Sequence, residues 1–133
     1  MIDLGAQPPR VVDFQTAGDS VEGLVISPRG DRAAATILQG SYDAPKDAWY
    51  RHATGRVVLF GITGGKVTRQ GGADVGAFPE GVAFSGDGHY VYAGNFHSDT
   101  ISVLRLAPDG RLADTHADIR LPGPPGSLRV GSQ

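Results

Sequence analysis

The stretch Pro79-Glu80-Gly81-Val82-Ala83-Phe84-Ser85-Gly86-Asp87-Gly88-His89-Tyr90-Val91-Tyr92-Ala93-Gly94 decides how this chain folds. Gly81 to Phe84 is a short apolar run, and Ser85-Gly86-Asp87-Gly88 is a turn whose glycines tolerate positive φ. Tyr90 to Gly94 is a second run rich in strand-forming residues. A loop follows over Asn95 to Asp99, then a third strand over Ile101 to Leu106. Pro108-Asp109-Gly110 is a hairpin turn, and Arg111 to about Ile119 is a more polar fourth strand, as an outer edge should be.

The same pattern recurs upstream. Val21-Glu22-Gly23-Leu24-Val25-Ile26-Ser27-Pro28-Arg29-Gly30-Asp31 lies over Pro79 to His89, with Glu22 and Glu80 58 residues apart. Farther on, Val58-Leu59 to Gly65-Lys66-Val67 lies over Val103-Leu104 to Gly110-Arg111-Leu112 at an offset of 45. The difference of 13 residues places an insertion in the first copy, over Ser41 to Gly55. A third copy opens at Pro124-Pro125-Gly126-Ser127-Leu128-Arg129-Val130. Val11-Val12-Asp13-Phe14 stands before Glu22-Gly23 as Val67 to Gln70 stands before Glu80-Gly81, so it reads as the outer strand of an earlier unit. Met1 to Leu4 reads as the end of that unit's third strand.

Four strands in about 45 residues is the period of a β-propeller blade. A helical solenoid of that period needs helical-period runs, and none occurs. The predicted fold class is therefore all-β, built of four-stranded antiparallel β-propeller blades, about two full ones with a partial blade at each end. The expected division of this one propeller domain is 1–20 as the end of a preceding blade, 21–78 as a blade carrying the 41–55 insertion, 79–123 as a second blade, and 124–133 as the first strand of a closing blade.

Bulk properties exclude several functions. A length of 133 residues suits one domain, and 20 glycines with 9 prolines suit many sharp turns. A net charge of −2 and a pI near 6.0 offer no basic stripe for nucleic acid. No apolar stretch approaches the ~20 residues that span a bilayer. Met1-Ile2-Asp3-Leu4 lacks the basic and apolar regions of a secretory signal. The absence of cysteine excludes disulfides, thiolate metal sites and thiol catalysis. Composition leaves the compartment open.

Pro79 to Gly88, with Tyr90-Val91-Tyr92-Ala93-Gly94-Asn95-Phe96 and Thr100-Ile101-Ser102-Val103, resembles the YVTN-type propeller repeat and the repeats of the seven-bladed lactonase family, which includes 6-phosphogluconolactonase-like proteins. The resemblance covers most of the chain, most strongly Pro79 to Leu112 and least across Ser41 to Gly55. Leu121-Pro122-Gly123-Pro124-Pro125-Gly126-Ser127 resembles the closing end of such a propeller. The resemblance implies a fold, and frequent export in bacteria. It implies no single reaction, since members include enzymes, exported binding proteins and surface-layer proteins, and the motif residues are mostly turn and core. A closed ring needs about four to eight blades. The chain therefore reads as the C-terminal portion of a longer propeller, or as one whose copies close a ring. Expected partners are the missing blades or further copies, and a small-molecule or protein ligand at the channel rim. Nucleic acid, a membrane span and a cofactor are not expected.

Blade topology sorts the candidate residues. The loop between strands two and three shares a rim with the connections between blades, while the hairpin turns at Gly86-Asp87-Gly88 and Pro108-Asp109-Gly110 lie on the opposite rim. The first rim collects Glu22, Glu80, Asn95, His97, Asp99 and the whole insertion. Two rim carboxylates with His97 suit cation binding, or activation of water for lactone hydrolysis. The competing reading is that Glu-Gly recurs because glycine lets the inner strands crowd together, leaving the glutamates solvated and His97 a polar loop residue. Asn95 and Asp99 suit loop capping through side-chain to backbone hydrogen bonds, with ligand binding as the alternative. In the insertion, Trp49, Tyr50, Arg51 and His52 are residue types that favour recognition when carried on a loop. Packing of these aromatics on their own blade is the equal alternative, and Asp47 to Arg51 has the length of one helical turn.

Three apparent motifs fail. Gly61-Ile62-Thr63-Gly64-Gly65-Lys66-Val67-Thr68 lacks the first glycine, the hydroxyl and the following helix of a phosphate loop. In Gly18-Asp19-Ser20-Val21-Glu22 a glutamate replaces the second glycine of a nucleophile elbow. His52, His89, His97 and His116 lack zinc-ligand spacing, so no metal site is expected. The leading expectation is a non-enzymatic propeller scaffold or binding module. A lactonase-like hydrolase acting on a sugar lactone through Glu22, Glu80 and His97 is the alternative, and a protein-interaction surface on the 41–55 loop a third.

Overall fold

The computed structural model describes residues 1–42 and 44–131. Asp43 in the insertion, and Ser132 and Gln133 at the end of the expected closing strand, lie outside the described residues. The chain is all-β. A hairpin of β1 (Ile2–Asp3) and β2 (Arg10–Val11) comes first. An antiparallel sheet follows, in sequential order, from β3 (Val21–Ile26), β4 (Arg32–Ile37), β5 (Arg56–Thr63) and β6 (Lys66–Asp74). The second sheet repeats that order with β7 (Pro79–Phe84), β8 (Tyr90–Asn95), β9 (Thr100–Leu106) and β10 (Leu112–Asp114), and β11 (Ile119–Arg120) also pairs with β9.

Alternation along the middle strands builds two cores. Ala34, Val57 and Leu59 from the first sheet meet Val82, Phe84 and Leu104 from the second, in one buried cluster. On the opposite face of the first sheet, Ala33, Ala35, Ile37, Val58 and Phe60 form a second cluster, against which Ala17 packs. The alanines of β4 are therefore buried on both faces, where small side chains let sheets approach closely. In each sheet the turn after the first strand is built alike. Ser27 Oγ accepts the Arg32 N–H at 3.1 Å, and Ser85 Oγ accepts the Tyr90 N–H at 2.9 Å.

Several local expectations change. The outer strand expected over Val11 to Phe14 is shorter and ends at Val11, because Asp13 turns its carboxylate to accept the Val67 N–H at 2.6 Å. The fourth strand expected from Arg111 to Ile119 is broken into β10 and β11. Between them the Thr115 hydroxyl donates to the Val103 carbonyl, and His116 takes φ 56° while its N–H donates to Asp114. The loop after β8 contains one 3₁₀ turn, Phe96–Ser98. Residues 47–51 form no helical turn. Two successive reverse turns replace it, closed by Ala48 N–H to Pro45 O and Arg51 N–H to Ala48 O, both at 3.0 Å. Residues 124–131 carry no strand, although their backbone at Leu128 lies close against Gly81 of β7. No helix among the described residues is long and apolar enough to cross a membrane.

Candidate functional site

Both Glu-Gly pairs sit on β-bulges. Val21 pairs with Ile37 and Leu24 with Ala35, so one extra residue is accommodated around Glu22-Gly23. Pro79 pairs with Asn95 and Gly81 with Gly94, so Glu80 is the extra residue of β7. Bulges bend a strand and re-aim side chains. The residues just before these strands, Ser20 and Phe78, both take φ 54°, a left-handed conformation uncommon outside glycine. The repeat is thus a repeated backbone device, and Glu-Gly is its sequence mark.

Glycine is required at both bulges. A Cβ on Gly23 would stand 2.5 Å from the Glu80 carbonyl oxygen, and one on Gly81 would stand 2.7 Å from the Leu128 nitrogen. The two carboxylates remain accessible, Glu22 exposed and Glu80 half-buried. They line one cleft of ≈ 380 Å³ together with Ser127 and Arg129. Arg129 was not foreseen. The signal for it was the third copy of the repeat, whose position beside the second copy brings Arg129 to this cleft. His97 does not line it. Its ring stacks on Phe78 at a centroid distance of 4.7 Å, and among the described residues no three His, Asp or Glu side chains converge to hold a metal.

A second, separate cluster forms where the two loops of the same rim meet. Phe78 N–H donates to Ser41 Oγ at 2.9 Å, and Ala77 N–H donates to Ser98 Oγ at 3.0 Å. The peptide before β7 is thereby bound to both the insertion and the 3₁₀ turn. Around Phe78 gather Phe96 at 5.5 Å, His97, and Tyr42 of the insertion at 6.4 Å. Trp49 stands apart from this group, 92% exposed, with Tyr50 edge-on at 5.7 Å. Tyr50 is half-buried, its carbonyl close against Gly40, while Arg51 and His52 are exposed.

Asn95 belongs to the interior. It is fully buried, and its amide donates to Thr100 Oγ1 and Ser102 Oγ, each at 2.9 Å. It makes no side-chain cap to the 3₁₀ turn, and its Oδ1 is buried without a hydrogen-bond partner among the described residues. Asp99 ends that turn at φ 50°, and its carbonyl accepts the Leu121 N–H at 2.8 Å.

No protein-family model matches the chain, and no curated protein matches it by sequence. Solved structures do match in fold. A candidate 6-phosphogluconolactonase from Bacteroides fragilis superposes with a TM-score of 0.67 at 20% identity, over 90% of this chain and 30% of that one. A second, from Bacteroides uniformis, gives 0.53 at 20% identity, over 78% of this chain and 41% of that one. Hydrazine synthase of Kuenenia stuttgartiensis gives 0.54 at 18% identity, over 81% of this chain and 38% of that one. The chain thus spans less than half the length of each of these three proteins. At these identities the likeness is one of fold: this chain is built of antiparallel β-propeller blades.

Proposed function

We propose that the chain is a blade segment of a larger propeller of the YVTN and lactonase-like group, acting as a scaffold or binding module. In this reading residues 1–20 end one blade, 21–78 and 79–123 are full blades, and 124–133 begin another. The observation that carries it is the pair of uncovered apolar faces. Phe14, Leu24 and Ile26 are 77%, 68% and 52% exposed, and with Ala33, Phe60 and Val67 they line a largely apolar groove of ≈ 450 Å³. At the other side Ile119 and Val130 are 50% and 54% exposed. Faces of this kind are stable in water when another blade lies on them. Light scattering on the purified chain tests the reading. A discrete ring-sized oligomer, or an aggregating chain made monodisperse by added blades, supports it. A monodisperse monomer that binds no hydrophobic dye would remove its basis.

Two further readings have one observation each. The shared cleft of Glu22 and Glu80 favours a hydrolase acting on a sugar lactone at the channel mouth through these two carboxylates, while His97, the third candidate, stands outside that cleft. It predicts lactone turnover by a closed ring that falls sharply in Glu80→Ala, and a closed ring with no turnover above background would end it. The exposure of Trp49 favours a protein-interaction surface on the 41–55 loop. Loss of a captured partner in Trp49→Ala supports it, and retention of every partner argues against it.

A further inference from the structure

On the rim opposite the glutamates, the turn Ser27–Asp31 of the first sheet lies against the turn Ser85–His89 of the second, with Pro28 Cδ 3.9 Å from a Cβ built on Gly88. Between the sheets at this end is a cleft of ≈ 390 Å³ lined by Arg29, Arg32, His89, Tyr90 and Arg105. No carboxylate lines it. Arg32 opens β4 and reaches toward the β9–β10 turn, its Nη1 and Nη2 3.9 Å from a Cβ built on Gly110. Its Nε and Nη1 are shielded from solvent and have no hydrogen-bond partner. Arg105, exposed near the end of β9, pairs with Tyr90 across the ladder. Among the described residues neither Arg32 nor Arg105 makes an ion pair.

The nearby acids are engaged elsewhere. Asp31 accepts from Ser27 and lies 3.5 Å from Arg29 Nε. Asp87 accepts from Ser85 and from the His89 N–H, with His89 Nδ1 at 3.1 Å. Asp109 faces Arg111 at 3.5 Å. Three arginines therefore line one cleft, and Nε and Nη1 of one of them, Arg32, are shielded without a hydrogen-bond partner. An unpaired charged donor out of water is costly, and guanidinium groups match the oxygens of phosphate in geometry and charge.

We propose that this inter-blade cleft is a phosphate site, which takes inorganic phosphate or the phosphate group of a monoester. A phosphate is favoured because its several oxygens can accept from both Arg32 and Arg105, neither of which is ion-paired among the described residues. The site is built wholly from the two sheets of this chain, so it does not depend on how a ring is completed.

Phosphorus NMR on the full chain at constant ionic strength tests it, with inorganic phosphate and glycerol phosphate as probes. Saturable binding on the order of millimolar is expected. It should weaken at least about fivefold in Arg105→Gln and in Arg32→Gln, since each removes one charge-assisted contact. Arg105 is exposed, so its variant keeps the test valid even where Arg32→Gln fails to fold. Tighter binding of the monoester identifies an esterified ligand, and equal or weaker binding identifies free phosphate; both support the site. No saturable binding of either probe, or binding unchanged in Arg105→Gln, would overturn it.

Discussion

The hydroxyl of Thr36 donates to the backbone carbonyl of Glu80 at 3.2 Å, joining the second strand of one sheet to the first strand of the next. The same oxygen accepts the Gly23 N–H at 2.8 Å, so one buried hydroxyl serves the bulge of its own sheet and the bulge of its neighbour. Thr36→Val keeps the shape and removes both bonds. It should cost about 1–3 kcal/mol, because the Gly23 N–H is left without an acceptor, and Thr36→Ser should recover most of the loss. Urea unfolding of the three proteins checks this.

Gly23→Ala meets the same junction from the other side. The new methyl would stand 2.5 Å from the Glu80 oxygen and 2.9 Å from the Thr36 hydroxyl, so the two inner strands must move apart. A loss of about 1–3 kcal/mol is expected, as for other overpacked interiors. Gly123→Ala, with open space around the added Cβ, should change stability by under about 0.5 kcal/mol. Equal effects at the two sites would contradict the close approach.

Asn95→Ala removes the amide that bridges Thr100 and Ser102 inside the second sheet. Both hydroxyls lose that donor in a buried site, at a cost of about 1–3 kcal/mol in thermal or denaturant unfolding. A rim ligand residue would instead change binding and leave stability alone.

The Asp87 carboxyl is held at about 2, below its ordinary 3.8, first by the Ser85 hydroxyl and then by the His89 N–H. A lowered folded value means the stabilisation is fully present above 3.8 and is lost as pH falls through about 2. Asp13 and Asp31 are lowered as well, chiefly by the Val67 N–H and the Ser27 hydroxyl. Carboxyl-carbon NMR should place the Asp87 midpoint near 2, and Ser85→Ala should return it toward 3.8. A wild-type midpoint at the ordinary value would refute the hydrogen bond as its cause.

Trp49 reports directly on the insertion. At 92% exposure its fluorescence should be quenched by iodide as freely as in the urea-unfolded chain. Trp49→Ala should shift unfolding by no more than about 0.5 kcal/mol. A shielded, blue-shifted emission would show that the loop packs inward or is covered by association.

Much of the strand plan is legible from Pro79 to Leu106 because its signals are local. Tyr90 to Gly94 reads as a strand from composition, and the Ser-Gly-Asp-Gly turn closes through bonds within five residues. The break at Thr115 to Asp118 is less legible, since it depends on a hydroxyl finding the Val103 carbonyl across the sheet. The candidate site divides the same way. Glu22 and Glu80 are marked by their repeat, whereas the burial of Asn95 and the stacking of His97 on Phe78 depend on what the second sheet and the insertion place around them.

The sequence by itself determined that the chain is all-β, that turns fall at Ser85–Gly88 and Pro108–Gly110, and that its two four-stranded units repeat, because alternation and turn chemistry act over a few covalently linked residues. Only the tertiary structure decided that Thr36 reaches Glu80, that Arg129 joins the two glutamates, and that Arg32 and Arg105 face one cleft. Those meetings follow from how two twisted sheets pack against each other, a geometry that no spacing within one strand encodes.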